Sequence, residues 1–185
     1  MSTIAAISTG LAAGGIGIVR ISGENALNVA DSIFKTVQGI ELKKLSGYRA
    51  AFGRGFFDGK PIDEAVALVF RAPKSYTGED VVEFHLHGGT RIAEGVIGEC
   101  VRNGARLAER GEFTRRAFLN GKIGLTQAES VMDIISAEGD ATLKSARLMR
   151  EGRLYQRIKS VSDKLVSALG SLAAWCDYPD EDVPE

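Results

Sequence analysis

Two cysteines and two histidines are the whole thiol and imidazole stock of this 185-residue chain, and that scarcity removes several classes of chemistry. Cys100 and Cys176 stand too far apart for a zinc or CxxC redox spacing. They read as reduced thiols of a cytoplasmic protein. So few candidates specify no Ser–His–Asp or Cys–His set, and no catalytic residue is assigned. No apolar run reaches about 18 residues, which excludes a membrane-spanning helix. The N-terminus has neither a signal-peptide core nor an Arg/Ser-rich transit pattern. An excess of one charge is also missing. With 23 basic against 24 acidic residues, no broad basic field announces nucleic acid. Nucleotide motifs fail too. Gly121 and Lys122 have no glycine at the P-loop's upstream position and no Ser/Thr after them, so this chain alone is not expected to bind GTP or ATP. Gly15 and Gly17 offer two glycines of a dinucleotide fingerprint, but Arg20 takes the place of the third and a strand, not a helix, follows.

What is present centres on residues 73–89. Pro73 to Glu79 carries Pro, Ser, Thr and Gly in the pattern of a turn. Asp80 to His87 then alternates as a strand, with Val82, Phe84 and Leu86 on one face and Val81, Glu83, His85 and His87 on the other. Gly88 and Gly89 end it, and Thr90 to Val101 reads as a helix. The second face is unusual because it sets a carboxylate and both histidines of the protein in a row.

The flanking chain supports an α+β reading. Thr3 to Ile7 and Ile16 to Ile21 are short apolar strands separated by a glycine- and alanine-rich loop at 10–17. Ser22 is placed to N-cap a helix whose stripe is Ala26, Val29, Ala30, Ile33 and Phe34. Tyr48 to Phe57 and Glu64 to Phe70 form a strand pair around a turn at 58–61. Glu112 to Leu119 suits a short helix closed by a left-handed cap at Asn120 and Gly121, which holds Lys122 close. From a capping box at Thr126–Glu129 onward the chain reads helical to about Ala174, with breaks at Gly139 and Gly152. Leu154, Ile158, Val161, Leu165, Ala168 and Leu172 follow the spacing of a helix packed on other helices, a seam that needs a partner. The acidic, proline-bearing end at 177–185 reads as a linker into a further segment. These elements divide into an N-terminal domain at 1–120 and a helical segment at 121–185.

The residues alone leave the chemistry of the 83/85/87 face open. It could be a solvated outer face. Glu83, His85 and His87 are ligand types that suit zinc or iron, but same-face residues lie roughly 6.6–7 Å apart along a strand, so a third ligand would have to bend in. No metal site is assigned. A carboxylate on a strand face can also accept two parallel N–H bonds from a heterocycle bearing N–H beside NH₂, as pterins and guanine do. Arg20 and Lys122 could then meet an anionic tail, against the plainer reading of surface charge.

Several ordered motifs resemble one family. They are Gly14–Gly23 (GGIGIVRISG), Ser75–Asp80 (SYTGED) with Glu83 and the His87–Gly89 turn, Gly111–Lys122 (GEFTRRAFLNGK), and Gln127–Glu129 (QAE). Their order and spacing resemble the N-terminal part of the MnmE (TrmE) family of tRNA-modifying GTPases, and the likeness runs from Thr3 to the end. The resemblance implies an N-terminal mixed-sheet domain related to folate-dependent aminomethyltransferases, followed by an α-helical bundle segment. It implies that 5-formyltetrahydrofolate, or a related reduced folate, is held by Arg20, Glu83 and Lys122 near a homodimer interface. With the flavin-dependent partner MnmG, in a heterotetramer, the family installs an aminomethyl-type group at C5 of the wobble uridine of certain tRNAs. GTP, potassium and magnesium belong to a GTPase domain that these residues do not contain, so a fragment that is not itself catalytic is expected. A dimerisation module without catalysis and a standalone folate-dependent one-carbon transferase are the alternatives. Gly124 departs from the family's usual Asp, the first glycine loop lacks its usual proline and arginine, and neither cysteine replaces the family's C-terminal cysteine motif.

Overall fold

The computed structural model describes residues 1–10, 14–57 and 59–177. Leu11–Ala13 of the first glycine loop, Asp58 of the hairpin turn, and the acidic end beyond Asp177 lie outside the described residues. The chain divides into two compact units, Met1–Lys122 and Ile123–Glu185.

The first unit is a seven-stranded mixed sheet of order β3-β4-β5-β6-β2-β1-β7. Its strands are β1 (Ile4–Ile7), β2 (Ile16–Ser22), β3 (Phe34–Thr36), β4 (Arg49–Phe57), β5 (Lys60–Phe70), β6 (Val81–His87) and β7 (Arg106–Leu107). Neighbours run antiparallel except β1 and β7. Helices α1 (Ala26–Ile33) and α2 (Thr90–Arg102) supply the other half of the core. The strand alternation places Val19, Ile21, Ala67, Val69, Val82, Phe84 and Leu86 in that core, packed with the stripe of α1 and with Ala93, Val96 and Cys100 of α2. Phe34, expected at the end of the helical stripe, instead begins β3. It stays buried and its ring lies 5.2 Å from that of Phe84. Burial on this scale is what fixes the register, because a one-residue slip of β6 would bury Glu83 and His85.

Ser22 does not cap α1. The N-cap is Asn25, whose N–H is accepted by Thr3 Oγ1 at 3.0 Å, while the Ser22 hydroxyl turns to Thr77 and Glu79. A stronger acceptor, the Glu79 carboxylate, outcompetes the local helix end.

Helix α3 (Glu112–Leu119) ends as expected. Gly121 adopts φ 67°, Lys122 N–H donates to the Ala117 carbonyl at 2.8 Å and Gly121 N–H to the Phe118 carbonyl at 2.9 Å. That is a Schellman closure, and only glycine enters it without strain.

The second unit contains α4 (Leu125–Ile135), α5 (Asp140–Arg150) and α6 (Arg153–Asp177). Gly139 caps α5, and Gly152, at φ 73°, separates α5 from α6. The expected capping box is displaced by two residues: Gly124 is the N-cap of α4, and its N–H donates to Gln127 Oε1 at 2.8 Å. Thr126 sits inside the helix, with its hydroxyl buried and unpartnered among the described residues. Along α6, Ile158, Val161, Leu165 and Leu172 are all more than half exposed.

Candidate functional site

The site is assembled on the face of the sheet opposite α1 and α2. The β2–β6 register sets Arg20 directly across from Glu83. Arg20 Nε donates to Glu83 Oε1 at 2.7 Å, and a second guanidinium nitrogen lies 2.7 Å from the same oxygen. The guanidinium also stands 5.6 Å from the centroid of the Tyr76 ring and 5.4 Å from that of Phe113. Two aromatic rings and one carboxylate therefore fix a cation that a bare surface arginine would leave mobile.

Tyr76 belongs to the 71–80 loop, and this loop is fastened along its length. Arg71 pairs with Asp80 at 3.1 Å, Ser75 Oγ donates to the Glu79 carbonyl at 2.5 Å, and the Tyr76 hydroxyl meets Thr114 Oγ1 at 2.8 Å. Asn120 Nδ2 donates to the Thr77 carbonyl at 2.7 Å, and Lys122 Nζ to the Pro73 carbonyl at 2.9 Å. Gly78 has φ 79°, and a Cβ there would come within 3.2 Å of the Lys122 stem. The lysine lies across the loop because this position is glycine. The structure thus puts Arg20 and Glu83 in direct contact and ties Lys122 to the loop whose Tyr76 flanks Arg20.

A buried ionic network underlies the loop. Arg116, 3% exposed, donates to both Glu79 carboxylate oxygens at 3.0 Å and to Glu112 Oε1 at 3.0 Å. Glu112, 2% exposed, also accepts from Arg106 and from the Glu109 N–H. Burial alone would raise its pKa, but Arg106, the Glu109 amide and Arg116 outweigh it and hold the carboxyl at about 2. Ser22 completes the chain, donating to Glu79 Oε2 at 2.7 Å. Reading the sequence did not single out this network. Its one regular sign is the Glu112/Arg116 spacing of four on a short helix; Arg106 precedes Glu112 by six residues outside the helix, and the Glu79 partner is non-local.

The other polar residues of β6 have separate roles. His85 Nε2 is buried, 3.5 Å from Glu83 Oε2. His87 is bound through Nδ1 to Asp63 Oδ1 at 2.7 Å and through its N–H to Asp63 Oδ2 at 2.8 Å. That hydrogen bond, then the Asp63 charge, raises its pKa above the ordinary value. Glu83, His85 and His87 do not converge, and no group of three or more His, Cys, Asp or Glu suited to a metal occurs among the described residues. From His85 outward a groove of about 560 Å³ opens on this face, bordered by Ile16, Phe52, Val66 and His87.

A mixed sheet with helices on one side, an anchored guanidinium–carboxylate pair on the other, and a following set of helices define a two-part α+β protein. Residues 3–122 match the family described as the GTP-binding protein TrmE N-terminus, and residues 125–185 match the MnmE helical domain. The chain belongs to the MnmE (TrmE) family. The tRNA modification GTPase MnmE of Carboxydothermus hydrogenoformans is 46% identical over 99% of this chain and 40% of its own length. That of Symbiobacterium thermophilum is 48% identical over 96% and 39%, and that of Lactococcus lactis subsp. lactis 43% identical over 97% and 39%. The chain thus spans about 40% of the length of these curated relatives. No helix among the described residues is long and apolar enough to cross a membrane.

Proposed function

We propose that this chain is the folate-binding, self-associating part of an enzyme that modifies the wobble uridine of tRNA. The reading is carried by the Arg20–Glu83 pair on the open sheet face, with Lys122 held on the adjoining loop. Residues and ligand fit chemically. Glu83 Oε2 accepts no hydrogen bond from another described residue, and a carboxylate on a strand face meets the N–H and NH₂ edge of a pterin with two parallel bonds. Arg20 holds the Glu83 carboxylate at that edge, and Lys122 supplies positive charge for the glutamate tail of 5-formyltetrahydrofolate. The neighbouring groove, about 560 Å³, lies within the range of small-molecule sites and offers Phe52, Val66 and Ile16 as apolar walls.

Bound folate would supply a one-carbon unit; the residues of this chain bind and orient it. Exposed Ile16, Phe52 and Val66 also suit this face to contact with a second copy of the chain. MnmG, tRNA, GTP, potassium and magnesium enter the proposal through the longer enzyme that the relatives represent. The test is calorimetric titration of 5-formyltetrahydrofolate into the chain, wild type beside Glu83→Ala. Uptake by the wild type and none by a folded Glu83→Ala is the expected result. Equal uptake by both removes Glu83 from the site. No uptake by the wild type, with a dimer in sedimentation, leaves an assembly module, a reading that the same exposed residues favour.

A further inference from the structure

We propose that His85 is the positioning residue of Glu83: an Nε2–H closing on Glu83 Oε2, 3.5 Å away, sets the carboxylate for a ligand. The inference rests on the folate reading above. His85 is one of two histidines in the protein, and its place on the sheet is polar by residue type but apolar by neighbourhood. Its cross-strand partners are Ile18 on β2 and Val66 on β5. The side chain is 35% exposed, yet Nε2 itself is buried and makes no hydrogen bond with another described residue. What the ring shows to the groove is therefore its other atoms. A buried, unpartnered imidazole nitrogen costs free energy unless something completes it.

The group nearest to completing it is on the same strand. Glu83 Oε2 lies 3.5 Å away, about half an ångström beyond the usual N–H···O separation. The other oxygen, Oε1, is already fixed by Arg20, which is itself held beside Tyr76 and Phe113. With Oε1 held, the remaining freedom of the carboxylate is a pivot about that contact, which swings Oε2. An Nε2–H directed at Oε2 removes that freedom and leaves the outward lone pairs of both oxygens for paired donors of a heterocycle. Ordering the carboxylate before the ligand arrives spares that cost at binding.

The test combines titration of 5-formyltetrahydrofolate with nitrogen-15 spectra of the imidazole in the free chain. His85→Phe keeps a flat ring without the N–H, and His85→Gln restores a donor. His85→Phe is expected to weaken binding about tenfold, the loss of one hydrogen bond to a charged group. His85→Gln is expected to stay within about threefold of wild type, a loss well under one such bond. In the Glu83→Ala background, His85→Phe is expected to add nothing. The spectra should show neutral His85 protonated at Nε2. Wild-type affinity in His85→Phe, with Glu83→Ala still inactive, overturns this inference alone. So does a neutral ring protonated at Nδ1, or a His85→Gln as weak as His85→Phe. A changed dimer constant at unchanged affinity assigns His85 to a contact between copies and also overturns it. Absence of folate uptake by the wild type overturns both this inference and the reading beneath it.

Discussion

The two units of this chain satisfy their apolar and polar groups in opposite ways. In the sheet unit, Phe84, Val82 and Ile21 are buried, and even charged groups such as Glu112 and Arg116 are buried with their partners. In the helical unit, α6 presents Ile158, Leu165, Leu169 and Trp175 more than half exposed. Both units carry the amphipathic patterns expected of them. A sheet closes its apolar face on helices from the same unit, whereas a helical stripe is stable only against whatever covers it. The Arg20–Glu83 pair lies on the unit that closes its own core. The difference leaves the apolar face of α6 open among the described residues.

The largest expected effect is at the buried network. Glu112→Ala strips buried Arg116 and exposed Arg106 of their shared acceptor, and breaking the buried Arg116 pair costs about 3–5 kcal/mol. Urea unfolding of the sheet unit would register it; a loss under about 1 kcal/mol would mean that water reaches Arg116 freely. Acid acts on the same carboxyl. Its depressed folded value, about 2, makes its contribution complete above the ordinary 4.5 and lost as pH falls from there toward about 2. Truncation of apolar groups sharpens the contrast between units. Phe84→Ala should cost about 3–5 kcal/mol, whereas Leu165→Ala should stay near 0.5 kcal/mol because its side chain is 61% exposed. Hydrogen exchange should follow, with the amides of Val82 and Phe84 slow and those of Leu165 and Leu169 fast. Comparable protection in both would show that a second copy covers α6.

Much of this was legible in the residues because it is local. The alternation of 80–87, the stripe of α1 and the left-handed cap at Gly121 each depend on a few successive positions. Arg20 and Glu83 were legible as contacts to one ligand, from their residue types and from the family resemblance, but not as partners of each other, since their contact comes from a strand register spanning more than sixty residues. What local reading misplaced were helix starts. Ser22 and Thr126 both look like caps, but Ser22 was drawn to Glu79 and the start of α4 was taken by Gly124 with Gln127. In each case a nearby acceptor or amide side chain offered a better bond than the local one. The Glu79–Arg116–Glu112 network was illegible for the same reason: charge types appear in a sequence, but the burial that makes them structural does not.

The thiols extend the comparison at lower energy. Cys100 lies in the core of the sheet unit and burial pushes its pKa up to about 12, whereas Cys176 on α6 is exposed. A maleimide reagent at neutral pH should label Cys176 within minutes and Cys100 only on unfolding. Labelling of Cys100 at the same rate would mean that α2 opens readily from the sheet.

The smallest effect concerns the rim of the site. His87 is 74% exposed, but Asp63, with a side chain 9% exposed, accepts from both its ring and its N–H. The hydrogen bond and then the charge of Asp63 favour the imidazolium, so the folded pKa lies above 6.5. The resulting stabilisation is complete below 6.5 and disappears as pH rises through the raised folded value. Proton spectra of the two histidines would follow it directly. Asp63→Asn keeps an acceptor for the backbone N–H while removing the charge, and should return the His87 midpoint toward 6.5. An unmoved midpoint would show that Asp63 only pins the end of β6 at the Gly88–Gly89 turn, and that the rim of the groove carries no pH-sensitive charge of its own.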